Sequence, residues 1–111
     1  MPVGKVGLAW FKYWGPPMDI RYYIDPETGL PHIYGHCVSE SEVESILRGP
    51  GEDLPGSRGS RLKLGQTGVG RYLQVIYVPD EDPQSMFVIT AYELQGKAKQ
   101  AFRRRRRRRG K

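Results

Sequence analysis

The sequence has little cysteine, little histidine and no long apolar run, and each shortage excludes a class of protein. Its 111 residues include one cysteine, so no intramolecular disulfide can form and a disulfide-stapled secreted scaffold is excluded. One cysteine and two histidines are too few for the common zinc sites, so we expect no metal and no cofactor. No stretch approaches the roughly 18 apolar residues of a membrane span. The apolar opening is interrupted by Lys12 and makes a poor signal peptide. We therefore expect a cytoplasmic, bacterial protein with no membrane partner.

The positive charge is concentrated in one segment. The formal net charge is +6, yet residues 1–102 hold ten basic and twelve acidic side chains. The remaining basic residues are seven consecutive arginines at 103–109 and Lys111. A run of one sign repels itself and is rarely needed for folding. The run therefore favours a nucleic-acid tether, with an acidic protein partner or a solvated tail as alternatives.

The order of predicted elements indicates one α+β domain. Short strands or a hairpin are predicted at 20–24 and 30–34, a helix at 39–48 and a polar loop at 51–59. Strands at 61–67, 71–78 and 86–92 predict a three-stranded antiparallel meander, because the connections are short. A C-terminal helix is expected from about residue 95–97 into the arginines. The chain then divides into an N-terminal extension (1–17), a domain (18–102) and a basic tail (103–111) that continues the helix. The extension carries four aromatic residues and is either an extra start segment or an added strand or partner-binding arm.

Two features of this pattern predict specific packing. Ser39 and Glu42 have the spacing of a capping box, and Val38 and Val43 have that of a hydrophobic staple. The second and third strands of the meander are apolar on both faces, which is typical of central, covered strands. The expected core residues are Leu73, Val75, Tyr77, Phe87 and Ile89, with Val43 and Leu47 packed on the same sheet.

The residues that could carry chemistry are few. No P-loop, G-x-S-x-G or H-E-x-x-H motif is present, and the glycines from Gly65 to Gly70 join two strands as a hairpin. His32 and His36 precede the helix; we expect a structural role for His32, whereas a structural and an acid–base role are equally open for His36. Cys37 is expected to be a small buried hydrophobe, with a thiol of lowered pKa as the alternative.

Arginines and tyrosines on the meander suit RNA, since guanidinium holds phosphate while phenol stacks on a base. Surface charge and core aromatics are the simpler interpretation for most of them, and Tyr77 is expected in the core.

Taken together, several segments resemble the small bacterial family of BrnT-like proteins and, more distantly, the RelE/ParE toxins. They are His36-Cys37-Val38-Ser39, Gly65-Gln66-Thr67, Gly70 to Tyr77, and Val88 to Tyr92 followed by an arginine-rich helix. The resemblance covers about four fifths of the chain, from Ile20 onward. Cys37 stands where the family usually has glycine.

The resemblance implies a RelE-like fold, with helices packed on a compact antiparallel sheet, and the toxin of a type II toxin–antitoxin pair. The implied activity is metal-independent RNA cleavage, in which the 2′-OH attacks the adjacent phosphate. His36 or Tyr92 would move the proton, and Arg71 would hold the phosphate. The expected partners are RNA, free or on the ribosome, and a cognate antitoxin, and a homo-oligomer is compatible. The expected RNA-binding residues are Arg61, Lys97, Arg103, Arg104, Arg105, Arg106, Arg107, Arg108 and Arg109.

Two other functions fit the same residues. One is a non-catalytic module that binds RNA or the ribosome through the basic surface. The other is a domain that binds a protein partner and no nucleic acid. Substitution of His36, Arg71 and Tyr92 separates the first from a nuclease, because binding should persist while cleavage is lost.

Overall fold

Within the residues that the structure describes, five strands form one mixed sheet, with a helix on each side of the meander in sequence. A computed structural model describes residues 17–82 and 84–109, and of Arg109 the backbone only. The predicted α+β class is therefore confirmed. No helix in the described ranges is long and apolar enough to cross a bilayer. The elements are β1 (Asp19–Tyr22), a 3-10 helix (His32–His36), α1 (Glu40–Arg48), β2 (Glu52–Pro55), β3 (Arg61–Gln66), β4 (Tyr72–Pro79), β5 (Ser85–Glu93) and α2 (Gly96–Arg109).

The three predicted strands of the meander are present, but the predicted all-antiparallel sheet is wrong. Strands β3, β4 and β5 pair antiparallel, with bounds within a residue or two of those expected. Strand β1 pairs parallel with β5, where Ile20 lies opposite Met86. Parallel neighbours need a long connection. Here the whole stretch from the 3-10 helix to β4 lies between β1 and β5 in sequence.

Strand β2 lies within the segment that was expected to be a polar loop. Its four residues pair antiparallel with β3 at the edge of the sheet. Such a short strand carries no readable alternation, and Pro55 argues against a central strand while being tolerated at an edge. The chain enters β2 through Gly51, where a Cβ would lie 2.0 Å from the Leu64 carbonyl oxygen. The strand therefore requires glycine at this position.

The second short strand predicted at 30–34 is also wrong. The turn after β1 closes as expected, with the Gly29 amide donating to the Asp25 carbonyl at 2.8 Å. The return is limited to a single bridge between Ile24 and Pro31. The chain then forms the 3-10 helix, which buries Ile33 against the sheet. The burial of Ile33 thus takes the place of the strand pairing expected at 30–34.

Helix α1 is capped as the sequence predicts. The Ser39 hydroxyl accepts from the Glu42 amide at 3.2 Å, and Glu42 Oε1 accepts from the Ser39 amide at 3.0 Å. Val38, Val43 and Ile46 are buried beneath the helix, in the main core. The cap and the apolar face together fix the N-terminus of α1 over the sheet.

The core lies mainly on the face of the sheet that α1 covers. Leu73, Val75 and Tyr77 are buried there as predicted, whereas Phe87 and Ile89 are only half-buried. A register shift next to Tyr77 interrupts the alternation across β4 and β5, and the buried residues of β5 are Met86, Val88 and Ala91. Val43 is buried and Leu47 half-buried against the same cluster.

The sequence predicts that the second and third strands of the meander are covered on both faces. This prediction is wrong for the face opposite α1. There α2 buries Phe102 in a small cluster with Leu64 and Leu94. The remaining side chains on that face of β4, such as Ile76, stay half-buried. The predicted N-terminal extension lies outside the described residues, apart from Pro17.

Candidate nucleic-acid interface

Helix α2 begins at a left-handed glycine and is fixed to the sheet by an aromatic residue. Gly96 has φ +59°, which turns the chain back after β5 at little cost, since glycine lacks a Cβ. Phe102 is completely buried and meets the Tyr72 ring edge-to-face, with 6.0 Å between ring centroids. The helix carries nine basic side chains and no acidic one. The burial of Phe102 therefore holds the most basic element of the chain against the sheet.

Two arginines of α2 attach its second half to the sheet. Arg105 forms a bidentate pair with Glu52, Nε to Oε2 at 2.6 Å and Nη2 to Oε1 at 2.8 Å. The Glu52 side chain is only 8% exposed, and its carboxylate raises the pKa of Arg105 by hydrogen bonding. Arg106 Nη1 donates to Gln66 Oε1 at 2.5 Å. These contacts hold the inner side of α2 against β2 and β3.

The outer side of α2 is formed by four exposed arginines. A helical repeat of 3.6 residues places them opposite Phe102, in two rows spaced by four residues. Within the described part of the chain none of the four forms an ion pair. They are Arg103, Arg104, Arg107 and Arg108.

Tyr72 organises the cations nearest the sheet. Lys99 Nζ lies 5.5 Å and Arg103 Cζ 5.8 Å from the centroid of its ring. Both distances are within the range of a cation–π contact. An aromatic ring orients these cations without neutralising them, so their positive charge remains available to an anion.

The three predicted catalytic residues lie near one another: the rings of His36 and Tyr92 are in contact, and Arg71 bonds to the carbonyl of Cys37. The rings of His36 and Tyr92 meet edge-to-face with 5.8 Å between centroids. Gln74 Nε2 donates to the Tyr92 hydroxyl at 3.0 Å. His36 is exposed. The His32 ring lies between those of His36 and Tyr23 and meets both edge-to-face, at 5.3 Å and 5.9 Å between centroids, which fits the structural role expected for it.

Arg71 is held by carboxylates rather than left open. Its Nη1 donates to both Glu42 oxygens, at 3.0 Å and 2.8 Å, and to the Cys37 carbonyl at 3.0 Å. Its Nη2 lies 3.6 Å from Glu93 Oε1. The hydrogen bonds that Arg71 donates to Glu42 raise the pKa of Arg71. Burial alone would raise the pKa of Glu42, but the bonds from Ser39 and Arg71 outweigh it and leave that pKa lowered. A phosphate at Arg71 would meet two carboxylates.

The other predicted RNA-binding residues are separated. Arg61 Nε donates to Asp53 Oδ1 at 2.9 Å, and the Tyr77 hydroxyl donates to the other oxygen of Asp53 at 2.7 Å. Burial, reinforced by Asp53, raises the pKa of Tyr77 to about 12. By register Arg61 lies beside Tyr77 on the face that α1 covers, away from α2. Lys97 is exposed in the first turn of α2. The side chain of Arg109 is outside the described part.

Cys37 is exposed, so its predicted burial is wrong. The residue ends the 3-10 helix in a left-handed conformation with φ +59°, which turns its side chain away from the core while Val38 enters it. Such a conformation is strained for a residue with a Cβ. Among the described residues no group of three or more histidine, cysteine or acidic side chains could hold a metal ion.

Sequence reasoning missed Glu52 and Gln66, the two side chains that hold α2. Glu52 lies in a segment without readable secondary structure, and Gln66 is one of several polar residues at the end of a strand. No local pattern links either one to an arginine forty or more positions away in the sequence. Comparison of the chain with family models, with curated proteins and with solved structures found no match.

Proposed function

We propose that this protein binds RNA through the outer face of α2, defined by Arg103, Arg104, Arg107 and Arg108. The observation that carries the proposal is that these four guanidinium groups are exposed, on a helix whose inner side is fixed, and that no carboxylate of the described residues pairs with them. Guanidinium groups bind phosphate in a planar, bidentate geometry. A polyanion also relieves the repulsion between like charges four residues apart on a helix.

The distribution of charge elsewhere supports this surface over others. Four of the five described arginines of the body meet carboxylates, as Arg21 does with Asp80 and Arg61 with Asp53. Those pairs leave little net charge to attract phosphate. The body as a whole carries more acidic than basic residues. An RNA strand should therefore be attracted to α2 and repelled by most of the remaining surface.

The test compares two double variants of the full chain by fluorescence anisotropy with a short single-stranded RNA. Arg104→Gln with Arg107→Gln should weaken binding about tenfold or more at about 50 mM salt, since each lost phosphate contact removes a counterion-release contribution. Arg21→Gln with Arg58→Gln removes the same number of charges from the body and should change affinity less than about threefold. Equal losses would show that net charge, not this face, determines binding. If RNA does not bind while an acidic peptide does, the partner is a protein.

A second proposal is supported by the contact between His36 and Tyr92. In it the protein is a RelE-like toxin and endoribonuclease, with RNA as substrate and a cognate antitoxin as partner. His36 is exposed and takes the 2′-OH proton, and Tyr92, ordered by Gln74, donates to the leaving oxygen. A phosphate that uses Arg71 has to replace Glu42 or Glu93.

Cleavage with 2′,3′-cyclic phosphate ends that is lost in His36→Ala and in Tyr92→Phe would support this second proposal. His32→Ala is the matched control, because the His32 ring contacts His36 on the side away from Tyr92. Full activity of the His36→Ala variant would contradict it. RNA binding at α2 is independent of this result.

A further inference from the structure

A groove beside α2 brings three arginines together at the end of the sheet. It is lined by side chains of β3, β4 and α2 and has a volume of about 280 Å³. The arginines lie three and four residues apart on α2, so their guanidinium groups share one side of the helix. The lining residues are Gln66, Tyr72, Arg103, Arg106 and Arg107.

The groove orients two of these arginines through neutral groups. Arg106 donates to the amide oxygen of Gln66, and Arg103 lies against the ring of Tyr72. The Tyr72 ring is itself packed against Phe102. No carboxylate lines the groove, and in the described ranges no ion pair involves any of its three arginines. Two of the three positive charges are thus held in place by neutral groups, and among the described residues no carboxylate compensates any of the three, in contrast to Arg105 beside Glu52.

We propose that this groove binds a phosphate monoester, such as the terminal phosphate of an RNA strand; the inference rests on the proposed RNA binding. A monoester carries a charge of about −1.5 to −2 at pH 7, whereas an internal phosphodiester carries a single charge. Three guanidinium groups are better compensated by the monoester. Its extra unesterified oxygen also accepts further bonds from the fork of N–H donors on each arginine. A strand end and free phosphate share this chemistry, and the experiment separates them.

The experiment measures the affinity of the full chain for one ten-nucleotide RNA prepared with a 5′-phosphate, with a 3′-phosphate and with hydroxyl ends. Wild-type protein should bind one phosphorylated form about tenfold more tightly than the hydroxyl form, as expected for a few partly exposed ion pairs. Arg107→Gln should abolish that ratio. Arg108→Gln removes the same charge from the next position, outside this groove, and should preserve the ratio while weakening both affinities alike.

A second variant tests the groove without removing an arginine. Gln66→Glu keeps the shape of the side chain but places a carboxylate beside Arg106. It should lower the ratio towards one and leave binding of the hydroxyl RNA within about threefold of wild type. Far-UV circular dichroism then confirms that α2 is retained in each variant.

The outcomes distinguish the groove from the broader proposal. Equal affinity of wild type for phosphorylated and hydroxyl RNA, or a ratio that Arg107→Gln and Arg108→Gln reduce alike, would overturn the monoester site while RNA binding stands. Absence of binding to every RNA would overturn the proposed function itself. Inorganic phosphate that displaces the phosphorylated strand at equal concentration would support the monoester site and show that the strand end is not needed.

Discussion

At the scale of single residues, the arginines of this chain differ in what their guanidinium groups meet. Four of the five described arginines of the body meet carboxylates. Arg48 pairs with Glu44 on α1, and Arg71, directly before β4, pairs with Glu42. On α2 only Arg105 has such a partner among the described residues. The same side chain therefore stabilises the fold in one place and remains available for an anion in another.

The cap of α1 gives a first prediction at this scale. Ser39→Ala removes the oxygen that accepts from the Glu42 amide, and a lost N-cap costs about 1 kcal/mol. Urea denaturation followed by circular dichroism should show this loss. Ser45→Ala, at an exposed position of the same helix, should change the free energy of unfolding by less than about 0.5 kcal/mol. An unchanged unfolding midpoint for Ser39→Ala would mean that the cap does not form.

The carboxylate of Glu42 gives a prediction about pH. Its pKa is lowered in the folded state, so it contributes stability above the pKa of the unfolded chain and loses it as pH falls through the folded value. Glu42→Gln keeps a side chain that can complete the capping box but removes the charge that Arg71 meets.

The variant should therefore be less stable than wild type at neutral pH, and the difference should shrink below about pH 4.5. Denaturation measured from neutral to acid pH tests this, with Glu81→Gln in an exposed turn as the control. A difference that is constant across this range would contradict the role given to the charge.

At the scale of elements, β5 shows how a register shift divides one strand. Met86 lies in the core and Ile89 is half-buried, three residues further on. Met86→Ala should cost about 2–5 kcal/mol, the range for a buried side chain cut back to alanine. Ile89→Ala should cost clearly less, because fewer of its atoms leave the solvent on folding. Equal losses in urea denaturation would mean that Ile89 is core and the shift is misplaced.

Helix α1 and the meander could be predicted because their signals are local. A capping box and a staple lie within a few residues of one another, and the strands of the meander are joined by short turns. The existence of β1 was predicted, but its parallel pairing with β5 was not, and β2 was missed. Four residues are too few for a periodic pattern, and the partners of both strands are set by the rest of the sheet. The predicted burial of Phe87 was too high, because the sequence does not show how far α2 extends over that face of the sheet.

The candidate site was predictable in part, namely where its signals are local. A run of seven arginines is visible in the sequence, and so is the helix that leads into it. Which of them face outward depends on Phe102, Glu52 and Gln66, and the latter two come from distant strands. The neighbourhood of His36 and Tyr92 was indicated by resemblance alone, and the carboxylates around Arg71 had no signal in the spacing.

At the scale of the whole molecule, charge and structure are segregated. The sheet, α1 and the 3-10 helix form a mildly acidic body. Most of its ion pairs join two residues of the body itself. Helix α2 lies against the other face of the sheet and carries the excess positive charge. Attraction of a polyanion to one side and its repulsion elsewhere would orient the protein before contact.

The salt dependence of RNA binding tests this arrangement most directly. Four outward arginines that each release counterions from a single-stranded RNA predict a slope of log K against log salt of about −2.8 or steeper. The variant in which Arg103, Arg104, Arg107 and Arg108 are all glutamine should bind more weakly, with a slope shallower than that of wild type by about 2.8. Arg71→Gln should keep the wild-type slope, because that guanidinium is already held by Glu42. A wild-type slope shallower than about −1, or an unchanged slope in the four-arginine variant, would contradict the assignment of RNA binding to α2.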